Sequence, residues 1–262
     1  MSRGRVCALV EAAGEPGRNP LLPPLARELA AAGVELVVWD PTGRLPLPVE
    51  PPPADLYLLK GDHPAVLGAA AAVAAAGGPC LNPFPATAAA ADKALTLGRL
   101  AAAGVPVPVS EVVGTRPALA AALAEGARVV KPVRGAHGDG VRLLGPGDED
   151  RAAAGPWLVQ EPVQGPGWEL KLYGVGDRVA VRRTRFAPGV VDGPRLPVER
   201  PAPGLVELGR ACAAATELVL WGADVVPGPD GPVVVDVNAF PGYRTVAEAP
   251  ARVAGAVLDA LR

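Results

Sequence analysis

The sequence predicts a mixed α/β and α+β fold, a small N-terminal parallel-sheet lobe followed by two α+β lobes. Three observations lead there. Over the first 80 residues short apolar runs alternate with helical stretches, which is the pattern of strand–helix–strand units and a parallel sheet. Farther along, β-branched runs face one another across glycine-rich turns, the way antiparallel hairpins are joined. At 262 residues, half of them hydrophobic, the chain is also close to the size at which one core divides. The expected lobes are residues 1–81, 82–156 and 157–262.

In the first lobe, residues 6–10 and 34–39 read as strands, and residues 21–32 between them have helical spacing that stops at Gly33. A proline-rich run over 41–53 reads as an extended surface loop. Residues 56–59 form a third strand and 65–76 a helix closed by Gly77-Gly78. The edge that matters for ligands is Lys60-Gly61-Asp62-His63, because loops after the carboxyl ends of parallel strands are where such sheets bind them. A polar turn without a role is the alternative reading.

The second lobe begins near Asn82-Pro83. Residues 87–103 read as one helix carrying Asp92-Lys93, followed by Val105-Pro106-Val107-Pro108 and a strand over 109–113. A helix over 117–125 leads to the strand Arg128-Val129-Val130-Lys131 and then to Gly135, His137, Gly138 and Gly140. Three glycines in six residues make a hairpin whose amides can lie against phosphate oxygens, with Lys131 as a point charge at its base. The segment lacks the strand-to-helix context and the Gly-Lys-Ser/Thr ending of a P-loop.

The third lobe opens with a strand from Trp157 into Gln160-Glu161-Pro162-Val163, then two strands around the turn Gly176-Asp177. Along the first of these, Glu169 and Lys171 share one face and Leu170 and Leu172 the other, while Arg182 and Arg183 close the second. A helix over 205–220 precedes two apolar strands, 222–226 and 233–237, parted by a turn at 227–232. Asp236 and Asn238 are two apart and share a face; if Asp224 sits across from them, the three supply hard oxygen ligands suited to magnesium. The competing reading is a strand end capped by Asp236 and Asn238. A helix over 246–261 ends the sequence.

Composition narrows the function classes. A net charge of -2 gives no electrostatic ground for nucleic acid as a partner. Cys7, Cys80 and Cys212 lack metal-type spacing and form no disulfide framework, which fits a reducing cytoplasm. No stretch reads as a targeting signal or a membrane span. Of 25 basic residues only Lys60, Lys93, Lys131 and Lys171 are lysines, so a lysine kept against that bias points to a need for a compact charge.

Taken in order, these elements resemble the ATP-grasp superfamily over residues 82–245. The elements are Asp-Lys, Val-x-Pro-x-Pro, Lys131-Pro132 with the glycine hairpin, Val-Gln-Glu at 159–161, the Glu169/Lys171 strand, and Asp224 with Asp236-x-Asn238-x-x-Pro241-Gly242. The resemblance implies ATP held between two α+β lobes. Lys93, Lys131 and the hairpin with Gly135, His137, Gly138 and Gly140 would meet phosphates, Gln160, Glu161, Pro162 and Val163 would form the adenine hinge, and Glu169 would lie near the ribose. It also implies Asp224, Asp236 and Asn238 as magnesium ligands, with manganese as a substitute, and Lys171 and Arg183 as catalytic cations facing phosphates or acceptor.

Within the superfamily the 131–141 spacing looks like the glutamate ligases that modify ribosomal protein, and like related amino-acid ligases. The 171–183 strands and Phe240-Pro241-Gly242-Tyr243 resemble the inositol-phosphate kinases instead. Two departures stand out: the middle metal position is usually Glu and is Asp236 here, and an Arg-Ser-Asn substrate segment is replaced by Thr184-Arg185-Phe186-Ala187-Pro188. The leading expectation is an ATP- and magnesium-dependent carboxylate–amine ligase working through an acyl phosphate, on small-molecule carboxylates and amines or a peptide or protein acceptor. A homo-oligomer is compatible with it. The alternatives are a kinase of a polyanionic alcohol, with Lys60, His63, His137, Arg182, Arg183, Arg185 and Arg244 as its basic pocket, and a nucleotide-binding module without catalysis.

Overall fold

The computed structural model describes residues 4–11, 19–135, 140–148, 154–185 and 195–262. The N-terminal elements are β1 (Arg5–Val10), α1 (Leu22–Ala31), β2 (Glu35–Trp39), β3 (Leu56–Lys60), α2 (Pro64–Ala75) and β4 (Cys80–Leu81). Their strands form one parallel sheet in the order β2-β1-β3-β4. The two faces of this sheet fill two cores, as the period of two demands. Val6, Ala8, Val10, Leu56 and Leu58 pack with Leu25 and Leu29 of α1 and with Val253 and Val257 from the C-terminal helix. Cys7, Leu9, Tyr57 and Leu59 pack on Val66, Ala69, Ala70 and Val73 of α2. Burial pushes the Cys7 thiol up to about 11, in keeping with a small apolar filler rather than a reactive thiol.

Next come α3 (Phe84–Ala90), α4 (Lys93–Ala102), β5 (Ser110–Val113), α5 (Arg116–Ala124), β6 (Arg128–Pro132), β7 (Arg142–Leu144) and β8 (Trp157–Gln160). The single helix expected over 87–103 is two. Asp92 is extended (φ -119°, ψ 108°), and its carboxylate accepts the amide hydrogens of Ala94 and Leu95, so it caps α4 and Lys93 becomes the first helical residue. The antiparallel sheet β5-β8-β6-β7 buries Val113, Leu119, Leu123, Val130, Trp157 and Val159 against α5. The strand read from the sequence as opening the last lobe therefore lies in this middle sheet, where Lys131 pairs with Leu158 and Val112 with Leu158 on the other side.

The remaining elements are β9 (Trp168–Val175), β10 (Arg178–Arg185), β11 (Leu196–Pro197), α6 (Pro203–Thr216), β12 (Leu220–Gly228), β13 (Gly231–Ala239) and α7 (Ala249–Ala260). The helix expected to reach residue 220 stops at Thr216, where Glu217 turns left-handed (φ 59°). The antiparallel sheet runs β11-β10-β9-β12-β13. Its apolar face, with Leu170, Leu172, Val181, Trp221, Ala223, Val225, Val234 and Val237, packs on Leu97 and Leu100 of α4 and on Cys212 of α6. The six-residue turn expected at 227–232 is a tight one, because pairing continues to Gly228↔Gly231. Asn82 ties the first strand system to this sheet: its amide donates to the Leu220 carbonyl (2.7 Å), and its side-chain oxygen accepts from the Val219 and Leu220 amides (2.8 and 2.7 Å). Among the described residues no helix is long and apolar enough to cross a membrane.

Candidate active site

The polar face of the last sheet is assembled by pairing register. In β9, Glu169, Lys171 and Tyr173 point away from Leu170 and Leu172, and β12 lies antiparallel beside it with Asp224 opposite Lys171. On the other side of β12, Asp224 pairs with Asp236 and Gly222 with Asn238, so the carboxylates expected to face one another across the hairpin do. A bulge makes this possible. Val225 pairs with Val234, leaving Val235 as the extra residue between the Val225↔Val234 and Asp224↔Asp236 pairs. Val234 and Val237 then both reach the apolar core, three residues apart, while Asp236 and Asn238 line the cavity. An unbulged strand would put Val234 and Asp236 on the same face.

The cavity has a volume of about 880 Å³ and is walled by all three sheets and the segments leaving them. One side carries Lys93, Lys131, Gly135, Val141 and Leu143, and another the segment Gln160, Glu161, Pro162 and Val163 that leaves β8. The floor is Glu169, Lys171, Asp224, Asp236 and Asn238, and the far end is Lys60, Gly61, Arg195 and the turn 240–244. Lys93 donates from its side chain to the Gly135 carbonyl and from its backbone to the Val133 carbonyl, pinning the start of the glycine segment to α4. Gly140 has φ +73°, and a Cβ there would lie 2.8 Å from Pro132, so this position requires glycine. His137 and Gly138 lie outside the described residues.

Charges on the floor are paired and close. The Lys171 ammonium is 3.0 Å from both Glu169 Oε1 and Asp224 Oδ2. Burial opposes that ammonium, but the two carboxylates outweigh it and raise its pKa above the usual lysine range. Burial, reinforced by Asp224, pushes the Glu169 carboxyl up despite Lys171. Lys131 is 7 % exposed and donates to the Val235 carbonyl at 3.1 Å, and burial lowers its pKa against the pull of Asp236. Burial likewise raises Asp236, opposed by Lys93 and Lys131. Asp236 thus carries its negative charge at a cost in the protein alone, which suits a site that receives a cation. Among the described residues no group of three His, Cys, Asp or Glu is placed to hold a metal ion; Asp224, Asp236 and Asn238 would offer two carboxylates and an amide oxygen, chemistry that suits magnesium rather than zinc.

Arg183, expected to face the phosphates or the acceptor, is not among the residues that line the cavity. It pairs with Leu170, so it shares the apolar face, and its guanidinium sits 5.7 Å from the Trp168 ring centroid. Arg182 is the residue opposite Lys171, and its guanidinium donates to the Thr245 carbonyl at 3.0 and 2.7 Å. His63 caps α2, its Nδ1 accepting from the Ala65 amide at 3.1 Å. The basic pocket imagined for a polyanionic acceptor is therefore dispersed, with Lys60 and Arg244 alone of its described members on the cavity wall. Arg195 and Tyr173 also line the cavity and had no local signal in the sequence, since only the order of strands brings them there.

The sequence profile of the ATP-grasp domain matches residues 90–242. A probable alpha-L-glutamate ligase 2 of Hahella chejuensis is 29% identical over 149 residues, covering 50% of this chain and 48% of the ligase. The chain spans less than two thirds of the length of the curated ligases it matches. Among solved structures, a RimK domain ATP-grasp protein of Sphaerobacter thermophilus superposes with a TM-score of 0.76 at 25% identity over 98% of both chains. The ATP-grasp ligase PsnB, solved with a minimal precursor, Mg and ADP, superposes with a TM-score of 0.70 at 19% identity over 100% of this chain and 99% of that one.

Proposed function

Because this chain belongs to the ATP-grasp domain family, we propose that it is an ATP- and magnesium-dependent carboxylate–amine ligase that activates its carboxylate as an acyl phosphate. The observation that carries the reading is one cavity in which Lys93, Lys131 and Lys171, Gly135 at the start of the glycine segment, and the Asp224/Asp236/Asn238 set meet. The naming of relatives as glutamate ligases, and of a neighbour as a ligase complexed with a precursor, supports an amino acid or peptide as substrate.

In this reading Gln160, Glu161, Pro162 and Val163 receive the adenine, Glu169 the ribose, and Lys93, Lys131, Gly135 and Gly140 the phosphates. Asp224, Asp236 and Asn238 would hold magnesium, which when bound would supply charge that neutralises the phosphates. Lys171 orients Glu169 and Asp224 and carries positive charge toward the transferring group, while Arg183 has no part. A substrate carboxylate oxygen attacks the γ-phosphorus as the bond to the β-phosphate oxygen breaks, and ADP leaves. The amine then attacks the acyl carbon, loses a proton, and expels phosphate. The protein's contribution is positioning and electrostatics, since phosphoryl transfer asks little covalent chemistry of side chains.

Hydroxylamine tests the intermediate. Incubated with ATP, magnesium, a large excess of hydroxylamine and one amino acid or short peptide at a time, the protein should release ADP and form a hydroxamate of the accepted acid, because a mixed anhydride is open to that nucleophile. Labelled γ-phosphate retained on an alcohol, with no free phosphate, would make the protein a kinase and end the ligase reading.

Lys131 gives a second test. Lys131→Ala should weaken ADP binding by about 10- to 100-fold, the range of one hydrogen bond to a charged group. Burial has moved the Lys131 pKa down, so its charge is present at low pH and is lost as pH rises through that lowered value. Nucleotide affinity should therefore start to fall below the usual lysine range, and Lys131→Arg should flatten that limb because the guanidinium stays charged. Identical pH profiles in fluorescence titrations of the two proteins would remove Lys131 from the phosphate site.

A further inference from the structure

We infer that Lys60 is a positioning residue through which the N-terminal sheet holds the end of the metal-binding strand; this rests on the assignment of Asp236 and Asn238 above. Lys60 ends β3, whose five residues are all buried, and it pairs with Val10 of β1. It is 9 % exposed, and its Nζ donates to the Phe240 carbonyl at 3.1 Å and stands 5.1 Å from the Phe240 ring centroid. Phe240 is two residues beyond Asn238 and is left-handed (φ 41°), as are Tyr243 (φ 48°) and Thr245 (φ 66°). Such conformations in residues with side chains persist only where surroundings impose them.

The surroundings here are specific. The Phe240 amide donates to the Leu220 carbonyl at 2.8 Å, the Tyr243 hydroxyl donates to the Gly174 carbonyl at 2.7 Å, and Lys60 takes the Phe240 carbonyl. Two of these three hydrogen bonds, and those of Arg182 to the Thr245 carbonyl, come from the sheet that already contains Asp236; among the described residues the Lys60 bond comes from the N-terminal sheet. A methionine would fill the same volume without the burden of a buried ammonium. The ammonium makes a charge-assisted bond to the Phe240 carbonyl and lies on the cavity wall beside the strand end.

Binding of manganese and ADP tests this without turnover. By electron paramagnetic resonance, Lys60→Met should bind Mn2+ in the presence of saturating ADP about tenfold more weakly than the unaltered protein, a difference of about 1.4 kcal/mol. Metal-free ADP affinity should stay within about twofold, because a tenfold loss confined to the metal is about the size of one charge-assisted bond. Lys60→Arg should recover part of the loss. Equal manganese affinity in Lys60→Met, or an equal loss of metal-free ADP binding, would overturn the inference. If Lys60→Met does not fold, Lys60→Gln, which keeps a donor and drops the charge, decides by the same two outcomes. Unaltered protein that binds ADP no more tightly with manganese than without would overturn the metal site itself, a result separate from a failure at Lys60.

Discussion

Asp236→Asn is expected to lower turnover by about three orders of magnitude, the scale on which loss of a metal's charge stabilisation acts, while leaving the folded protein as stable as before or slightly more so. The stability half follows from the sign of the Asp236 shift. Burial raises its carboxyl pKa in the folded chain, so the fold favours the neutral form, and near pH 7 the ionised side chain costs stability. A neutral isostere removes that cost. It also withdraws the main attraction on Lys131, whose lowered pKa should fall further. Steady-state kinetics together with thermal unfolding check both halves. Full turnover would displace Asp236 from the site, and a fall of several degrees in Tm would favour the strand-end cap.

Asn82→Leu is expected to destabilise the protein by about 2–4 kcal/mol, because it leaves the buried Leu220 amide and the part-buried Val219 amide without an acceptor, each costing about 1–3 kcal/mol with partial relaxation, and takes one of two donors from the Leu220 carbonyl. Asn82 is 0 % exposed, and its three bonds at 2.7–2.8 Å all go to Val219 and Leu220 at the start of β12. The Leu220 carbonyl also receives the Phe240 amide, so the loss should reach the turn at the metal-binding strand end. Denaturant unfolding would measure it; a change under 1 kcal/mol would mean that water or a shifted backbone replaces the amide. Since the substitution lies outside the cavity, activity per folded molecule at low temperature should fall far less than in Asp236→Asn.

Local residue chemistry made much of this protein legible in advance. Alternation of apolar runs with helical stretches announced the parallel sheet, because strands buried on both faces read as continuous apolar segments. The Glu169/Lys171 alternation and the Asp-x-Asn pair identified a polar strand face, since a period of two is a property of the backbone itself. The ordered set of weak motifs was enough to indicate the ATP-grasp family, which the match over 90–242 bears out.

What the sequence could not decide was settled by pairing and packing. Arg182 and Arg183 are adjacent and alike in chemistry, and only the register with β9 puts one opposite Lys171 and the other over Trp168. Asp92 could as well have sat inside a helix as capped one, until its carboxylate found the Ala94 and Leu95 amides. The bulge at Asp224/Val225 has no signature in Val-Val-Val-Asp-Val-Asn, yet it alone lets Val234 enter the core while Asp236 faces the cavity. By itself the sequence determined which strands have a polar face, through side-chain periodicity; the tertiary structure decided which polar residues meet there, because register and bulges are set by contacts between segments far apart in the chain.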